Sequence, residues 1–236
     1  MSDGAYSLKL EREVYWLFLC AFVALTIIYI FDLDFYFADL IYQPEKSWQY
    51  QDAWLTDVLI HKYGKYILIL LYLTFLFHFI ASDKKNEDHE KRYGKIVLLI
   101  SLLLGAFSVT LLKQLLEVDC PWDLSRYGGD KLFFPLFKYA SASLPSSHCF
   151  PSGHASTGFT WFSLYFYSCI YYPKYKLRIL AAILFMGFLY GASQQFRGAH
   201  FISHDIWSML VCLTVNIVIY KLAFQSRIEI EKVQED

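Results

Sequence analysis

The chain has 236 residues, of which 56% are hydrophobic and 19% aromatic, and its formal net charge is -1. Soluble domains rarely combine so many apolar and aromatic residues, so the composition argues against a soluble globular protein. The near-neutral charge, without a Lys/Arg block alternating with aromatic residues, also argues against a nucleic-acid partner.

Six apolar segments follow one another along the chain, and each has roughly the ~20-residue length that crosses the hydrocarbon core of a bilayer. They cover residues 14–31, 66–82, 96–112, 155–172, 179–196 and 206–224. These lengths disfavour the alternative of buried helices in a soluble bundle. No small-residue cleavage site follows the first segment, so we interpret it as retained. We therefore predict an all-α, polytopic bundle of six transmembrane helices forming one domain over residues 1–236.

Basic residues are divided unequally between two sets of connections. Twelve Lys and Arg lie in the terminal segments and in loops 83–95 and 173–178, and Lys221 lies near the end of the last apolar segment. Apart from Lys113, six are spread over the longer loops 32–65 and 113–154. The positive-inside rule then predicts that both termini are cytoplasmic. Loops 32–65, 113–154 and 197–205 face outward, which is the periplasm if the protein lies in a bacterial inner membrane.

Two outward stretches have distinctive compositions. Residues 47–63 mix tryptophan and leucine with polar residues. They form either a helix on the outer interface or an extension of the second span. Residues 117–153 contain repeated proline and glycine, which predicts irregular structure, and long loops of this kind are usually functional.

The motif Pro151-Ser152-Gly153-His154 leads directly into the fourth apolar segment. Ser152 is a candidate N-cap, and Gly153 lets the backbone approach a ligand closely. The unpaired amides and positive dipole of a helix start favour a phosphate oxyanion. A histidine beside them can exchange a proton near neutral pH. The alternative is a plain turn before a helix.

Two further polar clusters lie near the ends of apolar segments. Lys113 closes the third span on the outward side, where it is either a snorkelling anchor or a cation aimed at a phosphate. The run from Gln194 to Asp205 contains Arg197, His200 and His204. Ionisable residues at such boundaries are costly and usually functional.

A zinc site is the competing interpretation of the histidines. His200 and His204 are four residues apart, so a helix would place them on one face, and His154 with Asp205 would complete a ligand set. The chain lacks an HExxH arrangement, however, and a zinc site would leave Lys113 and Arg197 without a role. We therefore expect neither a metal nor another cofactor.

The order of the clusters resembles the type 2 phosphatidic-acid phosphatase superfamily, which also includes the vanadium haloperoxidases. Its pattern is Lys-x6-Arg-Pro, then Pro-Ser-Gly-His, then Ser-Arg-x5-His-x3-Asp. Here the first part reads Lys113-x6-Cys120-Pro121, the second is intact at 151–154, and the third reads Ser193-Gln194-x5-His200-x3-His204. Cysteine and glutamine thus replace both motif arginines, and a histidine takes the aspartate position. The sequences Cys-Pro-Trp-Asp at 120–123 and Arg-Gly-Ala-His at 197–200 are similar to those of a wider subgroup with variant motifs.

The resemblance implies phosphate-ester hydrolysis through a phosphohistidine. His200 would be the nucleophile, held by His204 by register or by Asp205 by chemistry, and His154 would serve as general acid and base. The phosphate would be bound by Lys113, Ser152, Gly153, Gln194 and Arg197, the last of which supplies the missing guanidinium.

The position of the clusters at the outer membrane boundary suggests a phosphorylated lipid of the bilayer as substrate. The candidates are lipid A, undecaprenyl pyrophosphate, phosphatidylglycerol phosphate and phosphatidic acid. A lipid-to-lipid phosphotransferase and a non-catalytic lipid-binding or transport protein are the alternative functions.

The five cysteines fall into two groups. Cys20, Cys169 and Cys212 lie inside spans, whereas Cys120 and Cys149 share the outward loop. Because a periplasm is oxidising, we predict a disulfide between the latter two, which would tie the first motif to the second. The alternative is a pair of free thiols.

Overall fold

The computed structural model of the chain describes residues 12–45, 47–81, 88–134 and 147–235, without the side chains of residue 65 and residues 225–235. Five of the basic residues behind the orientation prediction lie outside the described residues: Lys9, Lys46, Lys84, Lys85 and Lys138.

Helices account for nearly all regular structure in this part of the chain. They are α1 (Arg12–Ile30), α2 (Leu33–Ile41), a π-helical segment (Trp54–Tyr63), α3 (Gly64–Ala81), α4 (His89–Leu116), α5 (Gly153–Phe159), α6 (Phe162–Tyr171), α7 (Lys176–Phe196) and α8 (Ile202–Glu235). Five stretches are long and apolar enough to cross a membrane: Arg12–Ile30, Trp54–Ala81, His89–Asp123, Pro173–Phe196 and Ile202–Phe224. The all-α class is confirmed, and the chain is an integral membrane protein.

The predicted fourth span differs from a single helix, so the count of six transmembrane helices is not confirmed. Residues 155–172 contain parts of two short helices, α5 and α6, joined by a tight turn in which the Trp161 amide bonds the Gly158 carbonyl at 3.2 Å. Before this turn, the hydroxyls of Ser156 and Thr157 each bond a carbonyl three residues earlier. Such hydroxyls compete with the helical ladder and bend helices, which accounts for the break.

The two short helices form the centre of the bundle. Phe159, Phe162 and Tyr165 are fully buried there. Helix α5 packs closely on α7, where a Cβ added to Gly158 would lie only 2.5 Å from the Gly187 nitrogen. Helices α4 and α8 pack against each other and against this centre. Helix α3 exposes leucine and phenylalanine side chains along its length, as a lipid-facing helix does.

The π-helical segment resolves the two alternatives for residues 47–63. Gly64 continues it directly into α3 with right-handed helical angles, so residues 54–63 extend the second span. The segment is fixed to α7 by two hydrogen bonds, from Ser193 Oγ to the Thr56 carbonyl and from Tyr190 Oη to the Gly64 carbonyl, both 3.1 Å long. It therefore stands beside the C-terminal half of α7.

A small second core, which we term the cap, lies at the end of the bundle where α8 begins. Its buried members are Ala38, Trp48, Leu124, Tyr127 and Phe201. Helix α2 contributes to this cap and also to the start of α8, because the Asp34 carboxylate accepts hydrogen bonds from the Ser203 amide and hydroxyl. Burial raises the pKa of Asp34, against the lowering effect of these bonds. The cap thus holds the turn that precedes α8.

Candidate active site

The three motif clusters meet at one end of the bundle. Lys113 lies in the last turn of α4, residues 152–154 begin α5, and residues 200–205 begin α8. The Ser152 amide donates to the His204 carbonyl at 3.3 Å, and the Ser208 hydroxyl donates to the Ser152 carbonyl at 2.9 Å. A Cβ added to Gly153 would lie 3.5 Å from Lys113 Nζ, so the ammonium is next to the start of α5.

Four imidazole rings form a row across this site. The ring centroids are 4.4 Å apart between His61 and His154, 6.4 Å between His154 and His200, and 5.8 Å between His200 and His204. Three of these residues were predicted from sequence, and His61 of the π-helical segment was not. The widest of the three separations, which we term the gap, is the one between His154 and His200.

His200 is almost fully enclosed, with 5% of its surface exposed. Burial holds the pKa of His200 well below its ordinary value, and the charges of His204, Lys113 and His154 lower it further, while a hydrogen bond to the Cys149 main chain raises it. The ring is therefore neutral at ordinary pH and keeps the nitrogen lone pair that a nucleophile needs.

Asp205 is directed toward helix α7. Its carboxylate accepts a 2.6 Å hydrogen bond from Gln195 Nε2 and lies so close to Gly191 that a Cβ there would overlap it. Within the described residues, the Nδ1 atoms of His200 and His204 have no hydrogen-bond partner. His204 and Asp205 are the two candidates for orienting His200. The His204 ring lies near the His200 ring, whereas Asp205 cross-links α7 to α8.

Arg197 ends α7, and its guanidinium contacts the π-helical segment. Its Nε donates to the Gln51 carbonyl at 2.8 Å, one terminal nitrogen donates to Gln194 Oε1 at 3.3 Å, and the other lies 2.9 Å from Asp57 Oδ1. A guanidinium has five N–H groups, so these contacts leave donors for a further acceptor. Gln194, at the position of a family arginine, thus positions a neighbouring guanidinium.

Cys120 and Cys149 form a disulfide with Cα atoms 5.1 Å apart. The Cys149 amide also donates to the Val118 carbonyl at 2.6 Å, and His148 Nδ1 lies 2.9 Å from the Lys113 carbonyl. The disulfide and these bonds join the end of α4 to the turn before α5. Because the Cys149 main chain interacts with His200, this tether reaches the histidine row.

The charges of the site suit an anion. The described residues contain no group of three or more His, Cys, Asp or Glu side chains arranged to hold a metal ion. The groups near the gap are instead the Lys113 ammonium, the first amides of α5 and the imidazoles. This set can hold the oxygens of a phosphoryl group and offers both a nucleophile and a proton donor.

Comparison with protein families identifies the same region. The family model of the PAP2 superfamily matches residues 94–228, more than half of the 236 residues. The chain belongs to the PAP2 superfamily. Neither curated proteins nor solved structures gave a match. PAP2 members are generally phosphatases, so membership supports phosphatase-type activity for this PAP2 protein.

The matched region contains all three predicted clusters but not the π-helical segment. Asp57 and His61 therefore lie outside both the family match and the motifs, although they adjoin the site. Their four-residue spacing was the available sequence signal, since it places a carboxylate and an imidazole on one helical face.

Proposed function

We propose that this PAP2 protein is a membrane lipid phosphatase that hydrolyses a phosphomonoester or pyrophosphate through a phosphohistidine. The observation that carries the proposal is that the His154 and His200 ring centroids lie 6.4 Å apart, with the Lys113 ammonium next to Gly153 at the start of α5. Reacting atoms in productive complexes are about 3–3.5 Å apart, so a phosphoryl group bound at the two histidines could meet a nucleophile on one side and an acid for its leaving oxygen on the other.

In the proposed first step, a His200 nitrogen attacks phosphorus and forms a nitrogen–phosphorus bond. The bond from phosphorus to the leaving oxygen breaks, and protonated His154 gives that oxygen its proton. In the second step, His154 takes a proton from water. The hydroxide attacks phosphorus, releasing inorganic phosphate and restoring His200. No metal or redox partner takes part.

Lys113, the amides of residues 153 and 154 and the remaining donors of Arg197 would hold the non-bridging oxygens. Fixed donors of this kind stabilise charge that redistributes in the transition state without reorganising. The Ser152 side chain would act indirectly, since it caps α5 by accepting the Ala155 amide at 3.4 Å. The orientation of His200 would come from His204, with Asp205 holding the two helices together.

The membrane location of the bundle supports a lipid substrate. A headgroup phosphate in the outer leaflet would enter the gap, while its acyl or prenyl chains stay between lipid-facing helices such as α3. Within this proposal both termini are cytoplasmic and the site opens to the periplasm of a bacterial inner membrane. The four lipid phosphates named above are the candidate substrates.

The test is phosphate release by purified protein in detergent from those four lipid classes. We expect wild-type turnover of at least one lipid and losses of at least 1,000-fold in His200→Ala and His154→Ala, since nucleophile and acid act as a unit. His78→Ala, an exposed histidine of α3 outside the row, is the matched control and should retain activity. Equal turnover by wild type and His200→Ala would exclude the mechanism.

Two inhibitors separate the competing chemistries. Vanadate resembles the five-coordinate phosphorus of the transition state and should inhibit, whereas a metal chelator should not. Release that depends on an added acceptor lipid would indicate a phosphotransferase instead.

A further inference from the structure

We propose that Asp57 and His61 form a positioning pair that keeps His154 protonated and aligned as the general acid. The inference rests on the proposed phosphatase function and deepens it, because it adds a functional unit from outside the family match. It begins with two distances: His61 Nδ1 lies 3.1 Å from Asp57 Oδ1, and the His61 ring centroid lies 4.4 Å from that of His154.

The first step concerns the tautomer of His61. Since a carboxylate can only accept, the bond to Asp57 requires a proton on Nδ1 of His61. The other nitrogen, Nε2, then carries the lone pair when the ring is neutral. A carboxylate–histidine pair of this type fixes both tautomer and ring orientation.

The second step concerns charge. Asp57 is also 2.9 Å from the Arg197 guanidinium and 2.6 Å from Lys62 Nζ. Two permanent cations thus compete for one carboxylate, which disfavours a further positive charge on His61. A neutral His61 that turns the Nε2 lone pair toward the adjacent His154 ring would accept a hydrogen bond from the protonated form of His154 and so favour that form.

The third step is geometric. In the proposed reaction the phosphoryl group lies between His200 and His154, so the leaving group is protonated from the His154 side. The His61 ring contacts His154, and His200 is the other ring near His154. His61 can therefore support the acid without occupying the phosphate position.

The charged and titratable groups facing the pair come from several elements. Lys62 and Arg197 face Asp57, His200 has its ring centroid 6.4 Å from that of His154, and Lys113 acts on the same site. All four add positive or potential positive charge near His154 and oppose its protonation. The Asp57–His61 pair supplies the opposing influence.

The experiment compares two small substrates with the same transferred group, hexyl phosphate and p-nitrophenyl phosphate. An alkoxide needs a proton to leave, whereas nitrophenolate leaves as a stable anion. General acid catalysis contributes about 10²–10⁴-fold, and a positioning partner should account for part of it. In His61→Gln we expect about a tenfold lower kcat for hexyl phosphate and less than a twofold change for p-nitrophenyl phosphate.

A pH profile with the preferred lipid substrate gives a second readout. A tenfold weaker support of the protonated form corresponds to about one pKa unit. Because activity is lost when the acid deprotonates, the alkaline limb in His61→Gln and Asp57→Asn should move to lower pH. His78→Gln is the control and should leave both readouts unchanged.

The outcomes are distinct. If wild type releases phosphate from no substrate, the proposed function fails. Suppose that wild type is active, that His61→Gln lowers kcat equally for both small substrates or for neither, and that its alkaline limb does not move. Only the present inference is then overturned. If His61→Gln does not fold, the same measurements on Asp57→Asn decide. A lower kcat for hexyl phosphate alone supports the pair. If the protein turns over only the lipid, a shift of the alkaline limb to lower pH supports it.

Discussion

Asp205 follows the register position of the family aspartate by one residue, and its substitution tests whether it acts as a carboxylate or as a cross-link. The carboxylate is fully buried and accepts a 2.6 Å hydrogen bond from Gln195 Nε2. In Asp205→Asn the amide oxygen can accept the same bond. We therefore expect activity within about tenfold of wild type, since the geometry of α7 and α8 is retained.

The alanine variant should behave differently. Asp205→Ala leaves the Gln195 amide without its acceptor in a buried site, which costs about 1–3 kcal/mol. For a chain of this size, each kcal/mol corresponds to roughly 2–4 °C in Tm. The expected loss is therefore about 2–12 °C. Thermal unfolding in detergent, followed by aromatic fluorescence, measures this shift, and phosphate release per folded protein measures the catalytic effect.

One result would refute the assignment. If Asp205→Asn loses activity by more than 100-fold while its Tm equals that of wild type, the negative charge itself is required. Asp205 would then hold the His200 imidazole as the family aspartate does, and His204 would lose that role. Gln195→Ala separates the interpretations further, because it should reproduce the thermal loss of Asp205→Ala only if the cross-link matters.

Three further predictions concern stability. The pKa of His200 is depressed in the folded state and near 6.5 in the unfolded state, so the unfolded chain binds more protons as the pH falls. Tm should therefore decrease as the pH is lowered through about 6.5. The decrease should be less steep in His200→Gln. Replacing both Cys120 and Cys149 with alanine opens a loop with a sequence separation of 29, which by loop entropy is worth about 3.6 kcal/mol. Tm without reductant should therefore drop by roughly 7–14 °C, and a smaller loss would mean that the tether is dispensable. Gly158→Val forces α5 away from the α7 backbone and should prevent recovery of monodisperse protein. Gly105→Ala, whose Cβ would lie 3.4 Å from the nearest atom, should be tolerated. Normal recovery of both variants would contradict the close packing of α5 on α7.

Apolar run length predicted most of the bundle correctly because a membrane-spanning helix has few alternatives. The fourth segment shows the limit of that argument. Its composition is as apolar as a span requires, but Ser156 and Thr157 bond nearby carbonyls, and a tight turn follows. Hydropathy does not register such local competition. The helix class was therefore predictable, whereas the break between α5 and α6 was not.

The site divides in a similar way. Lys113, His154 and His200 were predictable because their residue types and order carry the family pattern, and the structure brings them to one end of the bundle. His61 was not predictable, since nothing in a linear motif indicates that a π-helical segment packs beside α5. Trp48 of the cap is another such case. It is buried against Gly198, whose φ of 76° is a backbone conformation that favours glycine.

The two missing family arginines are linked to features outside the motifs. At the first position, Cys120 replaces the positively charged arginine of the motif and forms a disulfide with Cys149, whose main chain interacts with His200. At the second, Gln194 accepts an N–H of Arg197, whose guanidinium is anchored on Asp57. Each substitution removes one positive charge from a motif position and adds a positional constraint. Position of the reacting groups can contribute as much to rate as added charge, so these replacements are compatible with an active phosphatase rather than a decayed one.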